Sequence, residues 1–248
     1  MTQARANYGD VIICMPGHTE SVTAAGTITC DKAGVTVLGV GTGSLRPTIT
    51  WTTGTGATIT ISAANVTFRN MVFNGAGVDA IVAMFTVTGA NLWVDECYVV
   101  QGDATNQAVL GFSLGTGADG AMFTHNRFQS RTAGATAFIQ SVVAIDRLQV
   151  VGNVLDGDTT AHIRNTTVAW TNALIDSNLF WCLGSAKLAI VDAAATGFIT
   201  RNHSMITANI AAGGSVTAAA MLKSLNYTAE AAQIATSTIV DPAATGIA

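Results

Sequence analysis

Charge is what this sequence has least of. It holds 11 Lys and Arg and 15 Asp and Glu in 248 residues, 10% of the chain, where soluble domains carry about 25%. The formal net charge of −4 argues against a binder that works by neutralising phosphates. Aromatics reach only 6% and proline contributes 3 residues. No apolar run approaches the roughly 20 residues of a membrane-spanning helix. The four cysteines, Cys14, Cys30, Cys97 and Cys182, include no CxxC pair, which argues against a zinc site or a redox motif. Buried small hydrophobes are the expectation for them. Ahead of Asp10 stands a single basic residue, Arg5, and the apolar run Val11 to Met15 is shorter than the roughly 7–15 residues of a secretory leader's core. Synthesis and folding in a cytoplasm are therefore expected.

What remains is apolar and small. Hydrophobic residues make up 49% and glycine 25 positions, a composition opposite to that of a disordered chain. The order within it is periodic. Six segments share one template, an apolar residue, two variable positions, a turn residue, one variable position and a second apolar residue. They are Phe68 to Phe73, Val94 to Val99, Phe123 to Phe128, Val150 to Leu155, Ile175 to Phe180 and Ile199 to Ser204. The fourth position falls at Met71, Cys97, Asn126, Asn153, Asn178 and Asn202, in steps of 26, 29, 27, 25 and 24. A degenerate earlier copy runs from Val35 to Gly41.

A period in the mid-twenties admits a leucine-rich repeat or a parallel β-helix. Leucine is sparse, and the segments between template copies are rich in Thr, Val, Ala and Gly, residues of strands and turns more than of helices. Alternations such as Ala57 to Ile61 and Met84 to Thr88 put one face inward and the other outward. The expected fold is all-β, a single-stranded right-handed parallel β-helix. About eight or nine rungs, stacked about 4.8 Å apart, make a rod on the order of 40 Å long. Residues 1–8 are expected to cap its first turn and 9–206 to form the solenoid. Residues 207–248, Ala-, Thr- and Ser-rich with helix-like stretches at Ala218 to Leu222 and Ala229 to Ala235, are expected as a C-terminal cap or inter-subunit arm.

The column Asn126, Asn153, Asn178, Asn202 is the most informative polar feature. Asparagine tolerates a left-handed corner, and its amide can bond the same residue in the next rung. A structural corner ladder is expected there, and no substrate role.

The stretch from Gly9 to Glu20, Gly-Asp-Val-Ile-Ile-Cys-Met-Pro-Gly-His-Thr-Glu, resembles the opening strand and turn of pectate-lyase-like β-helix proteins. Ala33 to Gly41 followed by Arg46-Pro47-Thr48-Ile49 resembles a β-helix group common among structural proteins of tailed-phage virions. The likeness covers residues 9–206. It implies a virion protein, often threefold-associated, but carries no activity, because fold alone does not.

An enzyme reading needs residues. A lyase requires clustered acids for calcium and a basic proton acceptor; a hydrolase requires two carboxylates about 5–10 Å apart. The candidates are Asp95 with Glu96, Asp156 with Asp158, and the isolated Asp119, Asp146, Asp176 and Asp192, for all of which turn or solvated positions are expected. His18, His125, His162 and His203 show no metal-ligand spacing and are expected at the surface or at corners. Ser113, Ser130 and Ser141 lack a nucleophile elbow, and Gly115 to Gly120 leads into a strand pattern, not a phosphate-binding helix. Trp51, Trp93, Trp170 and Trp181 form no obvious stripe, so interior packing and a subunit interface explain them equally. No catalytic, metal or cofactor residue is expected. The expected function is a non-enzymatic capsid decoration (cement) protein on the virion surface, a homotrimer whose other partner is the major capsid protein, with no nucleic acid or membrane. The alternative is a tail-associated protein that binds or depolymerises polysaccharide.

Overall fold

The computed structural model describes residues 3–131, 134–165, 168–183, 188–192, 195–206, 216–218 and 221–230. The chain winds as a parallel β-solenoid, each strand pairing with those one repeat before and after it. Nine strands stack in sheet A, from Val11–Cys14 to Leu222–Ser224, and nine in sheet B, from Thr19–Val22 to Tyr227–Glu230. Eight stack in sheet C, from Thr29–Cys30 to Val216–Ala218. Among the described residues the one helical element is a 3-10 turn at Gly43–Leu45.

The template explains the winding. Its first apolar position points inward from sheet A, so that Val94 lies over Phe123, then Val150, Ile175 and Ile199 in register. Its last apolar position points inward from sheet B, as Phe73, Val99, Phe128, Leu155 and Phe180. Sheet C closes the turn with Ile59, Phe85, Phe112, Ile139 and Ile163. All of these are buried. Few aromatics are present, yet they are concentrated along the axis. Phe85 stacks on Phe112 with centroids 4.2 Å apart and planes 2° from parallel. Phe73 and Phe123 meet the two rings edge-on at 4.8 and 4.9 Å.

Both ends extend the stack beyond the template copies. Residues 3–8 form the corner ahead of the first strand: Asn7, at φ 63°, donates its N–H to Ala33 O at 2.7 Å. Gly34, one turn later and at φ 74°, bonds Ala64 O in the same way. They thus continue the corner column to the open end of the first turn. At the other end the solenoid does not stop at Ile206, because Val216–Ala218, Leu222–Ser224 and Tyr227–Glu230 add a strand to each sheet. Leu222, expected at the end of a helix-like stretch, begins one of those strands. The rest of the expected arm, 207–215, 219–220 and 231–248, lies outside the described residues.

The extra turn carries a half-buried lysine, Lys223, in the inward column above Ile199. At the opposite end Glu20 occupies the inward position beside Ile49. Charges turned toward the core at terminal strands discourage further strand addition.

Candidate functional site

The corner between sheets A and B carries the asparagine column, and its geometry is repetitive. Asn126, Asn153, Asn178 and Asn202 are all buried. The Oδ1 of Asn153 accepts the backbone N–H of Asn126 at 2.8 Å and its Nδ2–H at 3.0 Å. The Nδ2 of Asn153 donates to Phe123 O at 2.8 Å. Asn178 and Asn202 repeat the pattern toward Asn153 and Asn178. Each amide therefore satisfies backbone groups that the corner leaves without a strand partner. Asn226 adds a further rung, its Oδ1 accepting Asn202 N–H at 3.1 Å. The left-handed residue is not the asparagine but the one before it: Glu96, His125, Gly152, Ser177, Arg201 and Leu225 have φ between 52° and 68°. In the early turns, where Met71 and Cys97 hold the column, other donors serve. Asn70 Nδ2 donates to Gly39 O and Gly41 O, and Arg46 donates to Met71 O and Glu96 O.

Three of the candidate carboxylates, Asp95, Asp156 and Asp176, are not solvated, whereas Glu96 is 51% exposed at a left-handed corner, as expected. Asp95 and Asp176 are buried and share one outward column of sheet A, with Thr124 and Val151 between. Three turns separate them, about 14 Å, too far for a hydrolase pair. Asp95 accepts Thr124 Oγ1–H at 2.7 Å, while Arg69 Nε lies 3.4 Å away and His125 Nδ1 3.3 Å. Arg201 holds Asp176 through its Nε at 2.9 Å and a second guanidinium nitrogen. Asp156 is 1% exposed and sits in the sheet B strand Val154–Gly157, not in a corner loop. Arg131 grips both its oxygens at 2.6 Å, a bidentate geometry. In each case the arginine stands one repeat away, 25 or 26 residues along the chain. The pairs thus join neighbouring turns.

The hydrogen bonds from Arg201 hold the Asp176 carboxyl below the usual carboxylate range. A carboxylate depressed in the folded state adds stability above its unfolded pKa of about 3.9 and loses it as pH falls through the folded value. Unfolding midpoints taken from pH 5 to pH 2 are expected to decline less steeply below about pH 4 in Asp176→Asn than in the wild type.

The histidines divide. His125 is exposed, with Nδ1 on Asp95, the arrangement of the base half of a triad. Beneath its ring lies Gly152, where an added Cβ would stand 3.1 Å from Cδ2. A residue with no side chain offers no nucleophile. His162, expected at the surface, is buried between Phe138 and Phe180, at centroid distances of 5.1 and 6.0 Å. Its Nε2 faces Trp181 O at 3.1 Å. A carbonyl only accepts, so Nε2 carries the proton and Nδ1 accepts from Thr159 Oγ1 at 2.5 Å. Cys182 Sγ lies 3.6 Å from Nε2, but burial pushes that thiol up to about 12, and a thiol of that kind is no nucleophile. Burial likewise pushes Cys30 and Cys97 up to about 12. Among the described residues no group of three or more His, Cys, Asp or Glu is placed to hold a metal ion.

The tryptophans also divide. Trp51 and Trp170 are in the core, whereas Trp93 is half-buried on sheet A and Trp181 is 38% exposed on sheet B. Trp93 shares an outward column with Met122, Gln149, Leu174, Phe198 and Leu222, apolar except at Gln149. A hollow of about 400 Å³ opens on this column between Leu174, Gly197, Phe198 and Leu222. Gly197 is required in its floor: its φ is +131°, and a Cβ would stand 2.0 Å from Ala173 O.

These observations define a class, a parallel β-solenoid whose outward polar groups tie turn to turn. No protein-family model, curated protein or solved structure matches the chain.

Proposed function

We propose that this chain is a non-enzymatic structural protein of a tailed-phage virion. In this reading it is a decoration (cement) protein, made in the host cytoplasm, which sits on the capsid surface as a homotrimer against the major capsid protein. The observation that carries the non-enzymatic part is the state of the carboxylates. Asp95, Asp156 and Asp176 are buried and matched by Arg69, Arg131 and Arg201 from an adjacent turn. A carboxylate whose two oxygens are gripped by a guanidinium, as in Asp156 and Asp176, is a poor calcium ligand. The virion placement is supported by the resemblance of Gly9 to Glu20 and Ala33 to Ile49. The mechanism is mechanical, a stiff rod with every strand paired along its stack, adding contact area between capsid subunits. Particles that lack the protein are expected to lose resistance to heat and osmotic shock; unchanged resistance overturns the reading.

One observation favours the polysaccharide alternative. Trp181 lies beside Asp156 in the register of sheet B, the acid-and-aromatic neighbourhood a sugar-binding face uses. Shortening of host polysaccharide by purified protein, abolished in Asp156→Asn, would favour that alternative over the cement reading.

A further inference from the structure

The three outer faces differ in chemistry. The central outward column of sheet C reads Thr60, Thr86, Ser113, Gln140 and Arg164, which suits water. Sheet A instead turns Leu174, Phe198 and Leu222 outward, the last two 55% and 64% exposed. Sheet B turns out Leu179, Trp181 and Met205, the last 41% exposed. These two patches occupy the same stretch of the rod; sheet A also exposes Val11 and Ile13 at its opposite end, where sheet B turns out Thr19 and Ser21. Leu174, Leu179 and Trp181 belong to one turn, Phe198 and Met205 to the next, and Leu222 to the turn after that.

That coincidence of height has a consequence for symmetry. Rotation about an axis parallel to the rod carries each turn of one copy to the same level in the next. A cyclic assembly with such an axis therefore brings the sheet A patch of one copy level with the sheet B patch of its neighbour. Two different patches on adjoining faces make a heterologous contact, which closes into a ring. We infer that sheet A of one copy packs along sheet B of a second copy, anchored at these last turns, leaving sheet C to face solvent.

The hollow beside Leu174 and Phe198 gives the contact a socket, and an exposed tryptophan at the same level on the neighbour, Trp181, is the anchor type such sockets take. The size is sufficient. Each face is nine strands at about 4.8 Å spacing and about 10 Å wide, so contact along the whole rod covers about 800 Å² in projection summed over the two partners, and more as accessible surface, against the roughly 1,000 Å² of a specific interface. The inference rests on the self-association proposed above and adds the surfaces that perform it; it is independent of the virion.

Sedimentation of the full chain tests it. The wild type is expected at a multiple of the 25.4 kDa chain mass, with Phe198→Asp and Trp181→Asp each reduced to monomer. Each variant keeps one intact patch, so mixing the two is expected to restore a complex that neither forms alone. Val82→Asp, at an exposed position on sheet C, is expected to leave assembly unchanged. Circular dichroism monitors folding, and Leu222→Asp with Met205→Asp is the second pair if either first variant unfolds. A monomeric wild type overturns both the self-association and the faces. An assembled wild type whose patch variants stay assembled overturns the face assignment alone. Monomeric variants that do not complement one another overturn the pairing of sheet A with sheet B.

Discussion

Asn153→Ala is expected to destabilise the protein by about 3–5 kcal/mol and to lower its melting temperature on the order of 10 °C. The substitution orphans two buried backbone groups, the N–H of Asn126 and the carbonyl of Phe123, which Asn153 bonds at 2.8 Å each. An unsatisfied buried group costs about 1–3 kcal/mol. The amides of Asn126 and Asn178 each lose a bond as well. Position decides the size of the effect. Asn226, at the last described rung, bonds the N–H of Asn202 and the carbonyl of Ile199 but is 9% exposed where Asn153 is 1%, so water replaces part of what is lost and Asn226→Ala is expected to cost about 1–3 kcal/mol. Asn153→Asp is sharper still. It sets an anionic oxygen where Nδ2 donated to Phe123 O, and protonation at low pH restores a donor. Its stability relative to the wild type is therefore expected to recover as pH falls. Equal losses at Asn153 and Asn226 in thermal melts would contradict the ladder as a chain of dependent bonds.

Phe112→Ala is expected to cost about 3–5 kcal/mol, the usual range for a buried phenylalanine. Phe112 is buried, stacked on Phe85 at 4.2 Å and met by Phe123 at 4.9 Å. The space it leaves cannot collapse, because the turns above and below are fixed by strand pairing at Phe85 and Ile139. Phe112→Leu, which keeps most of the volume, is expected to cost less than half as much in the same denaturation series. A cycle with Phe85→Ala should show coupling of about 0.5–1.5 kcal/mol from the ring pair itself.

The fold was legible because one period governs the whole chain. The apolar positions of the template are the inward columns of sheets A and B, and no long-range information was needed to stack them. The ends were harder to read. The last turn was hidden because Lys223 and Thr228 replace the template's apolar residues, although Asn226 follows Asn202 by 24 residues, the same step that separates Asn178 from Asn202. A second corner column, with Asn65, Asn91, Gly120, Arg147 and Asn172 at positive φ, was equally available. Its steps of 26, 29, 27 and 25 match those of the first column.

The ion pairs went unread for a different reason. An acid and an arginine far apart in sequence look unrelated until the period is used as a ruler, which puts Arg131 next to Asp156 and Arg201 next to Asp176. His162 shows the limit of alternation. Three consecutive residues, Ala161 to Ile163, are buried, as are Ala137 to Ile139 one turn earlier. A strict two-residue period would turn the middle one of each triplet outward.

Single-particle electron cryomicroscopy of the purified full chain tests the central claim most directly. The expected map shows parallel rods with turns about 4.8 Å apart, Asn126, Asn153, Asn178 and Asn202 in file at one inner corner, and the Phe198 face covered by a neighbouring rod. Isolated rods with Phe198 and Trp181 open to solvent, or a bound saccharide held by Asp156 in place of Arg131, would contradict the account.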